Sequence, residues 1–600
     1  LASKARSGAE KVWARPALAA GALGAVFLIG IANLDGAHQW IERLQAANTW
    51  DFASGTPVVG GTVGIVGGLK AWLIDGVALR PFDWWRSSRV HFGTFDITEF
   101  PYWSLLFADL HPHLMGLPFF GANAALGVAY AATVRQRLRP QAWVVAGMLG
   151  LAVGLVRTVH TWDFPTVVLM AAVGVPLGQL LRTEGRWQER WWEGVAHLVL
   201  AGSIAAVAFA PYTSHFETFD PGIKRAVATT KAHQFFVQFG VFVAFAVAFL
   251  AVRYREELAA RDFDHGHNPF LAVVNGWLEL GSLLVFTTGV IAFTWPFGLT
   301  TIALGVMFEL FLLNLLWLEL RRQEPDLART LATALYALAF GVAVGVDVVT
   351  LKNDIERMNT VFKFGLQAWQ LFALASGFAA WYAGSALWAV RGWRPTPLPG
   401  RRLAAYGATL VLGALVLGAS LFLVSGTAAR QDARFNDSGP TLNGFAFLDG
   451  SVFVESTDNN PSADYPITLG DDKPLIDWLR NNVRGSPVIA EAVGPLYHWT
   501  GRMSEYTGLP AVIGWDWHQI QQRMDYQDLI QQRRFETEQF YKSPDAASAS
   551  RYLVKYNVRY VVVGTEERYH GTEAGLAKLD RMPELEKVFT SGPYAIYKVR

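Results

Sequence analysis

Asp109, His111 and His113 stand at alternate positions in the stretch EFPYWSLLFADLHPHLMGLPFF, just ahead of a long apolar run and ten residues after Glu99. Alternate residues of an extended segment point the same way, so the three side chains can converge on one cation or one phosphate. A carboxylate with imidazoles suits a divalent metal, with Mg2+ or Mn2+ expected at Asp109 and His111, and it equally suits proton transfer. The structural alternative is a helix start, with Asp109 accepting from free backbone N–H groups beside Pro112.

Three further groups have chemical potential. HTWDFP offers Trp162 and Asp163 where a helix begins, as acceptor or domain-docking residues, or as an aromatic for the membrane boundary and an N-cap. DIERMNTVFKF carries Arg357, Asn359 and Lys363, and cations beside a membrane can hold a lipid phosphate, an arginine bidentately. Ion pairs among Asp354, Glu356 and Arg357 in a solvated loop would explain the same residues. EAVGPLYHWTGRMSEYTGLPAVIGWDWHQ gathers Tyr497, His498, Arg502, Glu505, Asp516 and His518 among aromatics. That surface suits an acceptor sugar or a lipid headgroup, or a seam for domain docking.

The elements that must position these residues are apolar. Of 600 residues 52% are hydrophobic and only 17% charged, against about a quarter charged in soluble domains. Spans of about 20 apolar residues occur at 16–33, 114–134, 141–159, 164–181, 193–212, 234–252, 271–294, 296–318, 330–350, 362–390 and 403–425, about eleven in all. The glycine-rich 57–75 reads as interfacial or re-entrant. Arginines recur in every second connection, at 135–139, 182–190, 253–261, 321–329 and 391–402. By the positive-inside rule those loops face the cytoplasm, which places the long first loop 34–113, residues 160–163, 213–233 and 351–361, and everything from 426, outside.

Residues 1–425 therefore read as a transmembrane domain and 426–600 as an extracytoplasmic α/β domain. In the latter, DDKPLIDWLRNN, 516–541 and 545–556 read as helices, SPVIAEAV and RYVVVG as buried strands, and LEKVFTSGPYAIYKV as a terminal hairpin. A net charge of +1 with no basic stripe excludes a nucleic-acid partner. The absence of cysteine excludes disulfides and thiol nucleophiles. No phosphate-loop, dinucleotide, HExxH or GxSxG motif stands in a supporting context.

EFPYWSLLFADLHPHLMGLPF, HTWDFPT, RMNTVFKFGLQAW and EAVGPLYHWTGRMSEYTGLPAVIGWDWH together resemble the YYY membrane protein family of bacteria and archaea, from about residue 85 to the end. That family is grouped by similarity with the GT-C superfamily of membrane glycosyltransferases. The resemblance implies a polytopic enzyme that takes a sugar from a polyprenyl-phosphate carrier on the outer face. It implies a donor-phosphate or metal motif at Asp109, His111 and His113, with Arg357, Asn359 and Lys363 on the lipid phosphate. The family's tyrosine triplet and the acidic motif before it are absent, and the chain opens LASKARSG without methionine, so it reads as truncated with a first catalytic acid upstream. Gly365 departs from the family pattern, which has an aromatic there. Two other classes stay open: a transporter or flippase for a polar lipid or solute, for which Glu279 and Glu309 lie inside spans, and a non-catalytic scaffold.

Overall fold

The computed structural model describes residues 2–600 apart from 53, 183, 217–221, 265–268, 353, 392–398, 433–438, 440 and 458–459. It leaves out the side chains of 2–15, 260–264, 269–280 (Glu279 among them), 283, 388–391, 399–401, 456–457, 460–464, 522 and 524. The chain divides into two compact units, Leu1–Arg430 and Gln431–Arg600.

The first unit is helical. It opens with α1 (Ala2–Ile29), α2 (Asp35–Ala47) and α3 (Pro57–Leu73). After a long connection come α4 (Pro101–Phe107), α5 (Pro112–Arg135), α6 (Arg139–Val159), α7 (Phe164–Leu180), α8 (Trp187–Ala208) and the single turn α9 (Ala210–Thr213). It continues with α10 (Ala232–Asp264), α11 (Pro269–Thr294), α12 (Thr300–Leu320), α13 (Leu327–Gly345), α14 (Met358–Arg391) and α15 (Pro399–Gln431). Each expected span overlaps one of these helices, with 16–33, 193–212, 296–318 and 330–350 running four or five residues past a helix end. Among the described residues, eight helices are long and apolar enough to cross a membrane, and Pro16–Ile29, Pro57–Leu73 and Leu284–Phe297 are shorter apolar ones. Residues 57–75, read as interfacial or re-entrant, form the continuous helix α3 packed on α2.

Helix α14 is the inner strut of this unit. It packs on α1, α10 and α13 and buries Gln367, Gln370 and Ser376 along with its apolar residues. Trp369 stacks on Phe100, their rings 5.4 Å apart, and Phe372 stacks on Phe242 at 5.6 Å. Its approach to α1 needs glycine at 377, because a Cβ there would stand 2.5 Å from the Gly24 nitrogen. Gly377→Leu is therefore expected to force the two helices apart and cost about 1–3 kcal/mol. Thermal unfolding in detergent, followed by tryptophan fluorescence, should show a lowered midpoint, and an unchanged midpoint would count against this packing.

The connections segregate by chemistry. A two-stranded pair, β1 (Ile223–Arg225) and β2 (Val349–Leu351), ties the connection before α10 to the one before α14. Helix α14 meets α5 and the turn Thr161–Asp163 at the same end. At the arginine-bearing connections the cations are paired: Arg137 with Glu184 at 2.7 Å, Arg182 with Glu193 at 2.7 Å, and buried Arg253 with Glu257 at 3.0 Å.

The second unit is mixed α/β. A hairpin of β3 (Val452–Thr457) and β4 (Asn460–Thr468) precedes α16 (Lys473–Asn482) and β5 (Val488–Ala490). Then follow α17 (Arg502–Thr507), α18 (Asp516–Gln522), α19 (Gln527–Lys542), α20 (Ala546–Lys555) and β6 (Val558–Val563). The unit closes with α21 (Thr565–His570), α22 (Glu573–Ala577), β7 (Leu585–Ser591) and β8 (Tyr594–Val599). A four-stranded sheet runs β5-β6-β8-β7, with β5 parallel to β6 and the rest antiparallel. The expected strands, first helix and terminal hairpin are all present. The helix read over 516–541 is two helices, separated by a turn at Met524–Tyr526.

Candidate functional site

The segment around Asp109 is shaped by its backbone. Helix α4 ends at Ala108 in the left-handed conformation, φ 61°, a costly choice for a residue with a Cβ that turns the chain sharply. Pro112 then opens α5, with His111 extended at the N-cap position. Asp109 and His111 hydrogen-bond to each other through Oδ2 and Nδ1 and stay partly exposed. His113 turns inward and is 8% exposed. Lys363 Nζ donates to His113 Nδ1 at 3.3 Å, and His113 Nε2 lies 3.6 Å from Glu99 Oε2, which also accepts from Ser104 Oγ at 2.8 Å. An ammonium donating to Nδ1 selects the neutral tautomer, with Nε2–H aimed at Glu99. A cation, an imidazole and a carboxylate thus stand in a row from residues far apart in sequence.

Asp163 lies behind this row. Its Oδ1 accepts from Gln367 Nε2 at 2.8 Å, and the same amide reaches the Trp162 carbonyl at 3.0 Å. Gly116 lets α5 approach, since a Cβ there would stand 2.7 Å from Asp163 Oδ2. Buried His160 has its Nδ1 3.0 Å from Asp163 Oδ1, off the line of a hydrogen bond, and neither ring nitrogen has a partner among the described residues. The carboxylates within electrostatic reach of Lys363 are Glu99, Asp163, Asp109 and Asp354.

Arg357 sits differently from a cation open to a ligand. It is 1% exposed, donates to Asp96 Oδ2 at 2.7 Å and to Asp347 Oδ1, and reaches Thr230 Oγ1 at 3.2 Å. His91 lies on the far side of Asp96, its Nδ1 3.0 Å from Oδ2. Burial would raise the Asp96 carboxyl, but bonds and charge from His91 and Arg357 outweigh it and hold it below the usual range. Asn359 donates through its backbone to Asp354 Oδ1 at 3.0 Å, and Thr360 N to Oδ2 at 2.8 Å, so Asp354 satisfies free N–H groups at the start of α14. These residues fix the start of α14, from which Lys363 projects.

Residues 2–372, which include every group described so far, match one protein family. The chain belongs to the uncharacterized membrane protein family DUF2298. It is an integral, multi-pass membrane protein. No curated protein matches the sequence. The DUF2298 match ends within α14, so the second unit lies beyond it.

In that unit the expected residues do not gather at one place. Arg502 is buried at the centre of an ion network, donating to Asp472 through Nε at 2.6 Å and to Glu567 Oε2 at 2.8 Å. Tyr497, at φ 64°, packs its ring 5.0 Å from that of Trp515 and bonds His518 Nε2 at 2.9 Å. Asp516 accepts from Arg534 Nη1 at 2.6 Å, and Glu505 is exposed on α17. His498 Nδ1–H donates to Glu455 Oε2 at 2.7 Å.

Among the described residues, one group brings three metal-type ligands together: Glu455, Glu566 and His570, with ligand atoms all within 4.8 Å of one another. Sequence reasoning missed it because Glu455 lies on the unforeseen β3–β4 hairpin. Only the Glu566–His570 spacing, one turn of helix apart, signalled it.

Proposed function

We propose that this chain is a GT-C-like membrane glycosyltransferase, moving a sugar from a polyprenyl-phosphate carrier to an acceptor. What supports this reading is the Lys363–His113–Glu99 row beside Asp109, a cation among several carboxylates and imidazoles where helices begin. Ionisable groups at membrane depth are costly and lean functional. The four motifs that resemble the GT-C-related family contribute the row, its support and the acceptor-side surface.

In the reaction, the bond between the anomeric carbon and the phosphate oxygen breaks as the acceptor oxygen attacks that carbon. Lys363 offsets the negative charge that develops on the leaving polyprenyl phosphate, and such electrostatic stabilisation is the main catalytic effect. Asp109, oriented by His111, takes the acceptor proton. His113 positions the Lys363 ammonium, and Arg357 and Asn359 hold the loop. Asp109 and His111 supply only two ligand atoms, so Mg2+ or Mn2+ would arrive with the donor phosphate, which is how such ions commonly bind. Trp162 and Asp163 back the donor site, and Tyr497, His498, Arg502, Glu505, Asp516 and His518 belong to the unit that admits the acceptor. The site works on the extracytoplasmic side, as the arginine distribution implies.

A polyprenyl phosphate with a photoreactive group on its first isoprene tests the location. Crosslinks mapped by mass spectrometry are expected in 99–116 and 358–367. Crosslinks confined to the arginine-bearing connections 135–139 and 182–190 would contradict the assignment.

A further inference from the structure

We propose that Glu455, Glu566 and His570 form a binding site for a first-row divalent transition metal ion in the C-terminal unit, with His498 holding Glu455 in place. The site is independent of the donor site and of the activity assigned above.

Two side chains converge from one helix and a third from a hairpin. Glu566 and His570 are one turn apart on α21, so they share a face, and Glu566 Oε2 stands 3.3 Å from His570 Nε2 without hydrogen-bond geometry. In a tetrahedron of metal bonds of about 2.1 Å, ligand atoms stand about 3.4 Å apart, so this pair already has the spacing. Glu455 reaches in from β3, its Oε2 held by His498 and its Oε1 without a hydrogen-bond partner among the described residues.

The decisive observation is Glu566. It is 0% exposed, and neither carboxylate oxygen has a hydrogen-bond partner among the described residues. A buried carboxylate in that state costs several kcal/mol unless something charged meets it. Arg502 is already engaged with Asp472 and Glu567. With the imidazoles neutral, as metal binding requires, the two buried carboxylates carry two negative charges, which one divalent ion balances. Imidazole with carboxylate selects Zn2+, Mn2+ or Fe2+ over Ca2+. Three protein ligands leave a position for water or a ligand oxygen, as at catalytic metal centres. Tyr569 and Tyr465, their rings 5.1 Å apart, stand beside it.

The test uses the full chain, tag-free, in nanodiscs, stripped with a chelator and titrated with Co2+ and Zn2+. Wild type is expected to take up one equivalent, with the visible d–d bands of Co2+ in a protein site. Glu566→Gln with His570→Gln should weaken uptake at least tenfold, while Asp109→Asn with His111→Gln should leave it unchanged. No stoichiometric uptake by wild type, uptake that survives the first pair, or loss confined to the second pair would each overturn the proposal. Should the first pair fail to fold, hydrogen exchange of wild type decides: Zn2+ should slow exchange in 452–457, 494–500 and 565–571. Unchanged exchange there overturns the site.

Discussion

Arg502→Met should destabilise the C-terminal unit by about 3–5 kcal/mol, the cost typical of removing one partner from a buried charge network. Arg502 joins Asp472, at the start of α16, to Glu567 on α21. Asp472 also accepts from Trp499 Nε1 at 2.9 Å and Thr565 N at 3.1 Å, and Glu567 from Ala492 N at 2.6 Å. Removing the guanidinium leaves two fully buried carboxylates with neutral donors only. Hydrogen exchange of the β6 amides should accelerate more than a hundredfold, and unchanged protection would show that the network is dispensable. The network also sets a pH response. Burial pushes the Asp472 carboxyl up, but the Arg502 charge and the bonds from Arg502 and Thr565 outweigh it and hold it below the usual value. A carboxyl depressed on folding stabilises fully above its unfolded pKa of about 4 and loses that contribution as pH falls through the folded value. Wild type should therefore lose stability in that acid range, and Arg502→Met should flatten the response.

Lys363→Met should weaken binding of a polyprenyl-phosphate sugar about a hundredfold. A hydrogen bond from a charged donor contributes about 1.5–3 kcal/mol, and a hundredfold is about 2.7 kcal/mol. Methionine matches the stem of lysine and removes only the charge. Nζ also stands over the Phe362 ring, 3.8 Å from its centroid, so the variant gives up that cation–π contact as well. Lys363→Arg should restore part of the affinity, because the charge returns on a larger head. Arg357→Met should act through stability instead, since its guanidinium is buried on Asp96 and Asp347.

The helical half was legible because spans of that length and apolarity have no other stable form in a membrane. The sequence does not reveal which polar residues meet. Asp96 and Arg357 lie 261 positions apart, and no local pattern announces that a loop arginine will be buried. Lys363 gave the clearer signal, one cation within the first turns of an apolar helix. The alternate spacing of Asp109, His111 and His113 predicts convergence; the helix begins at Pro112, so His113 turns inward while the first two pair at the surface, and the His111 and His113 rings stay 5.4 Å apart. In the second unit the sheet strands stood out as β-branched runs. The β3–β4 hairpin did not, because VFVESTDNNPSADYPIT carries few apolar residues and a proline in each half of its second strand. The six-residue α21 was too short for any periodicity, so Glu566 and His570 were not seen as a pair.

The donor site is tested most directly by equilibrium binding of a radiolabelled polyprenyl-phosphate sugar to the full chain in nanodiscs, wild type against Lys363→Met at matched thermal stability. Saturable binding by wild type, about a hundredfold weaker in the variant and competed by unlabelled polyprenyl phosphate, is the predicted result. Equal binding by the two proteins, or none by wild type, would contradict a lipid-phosphate site at Lys363.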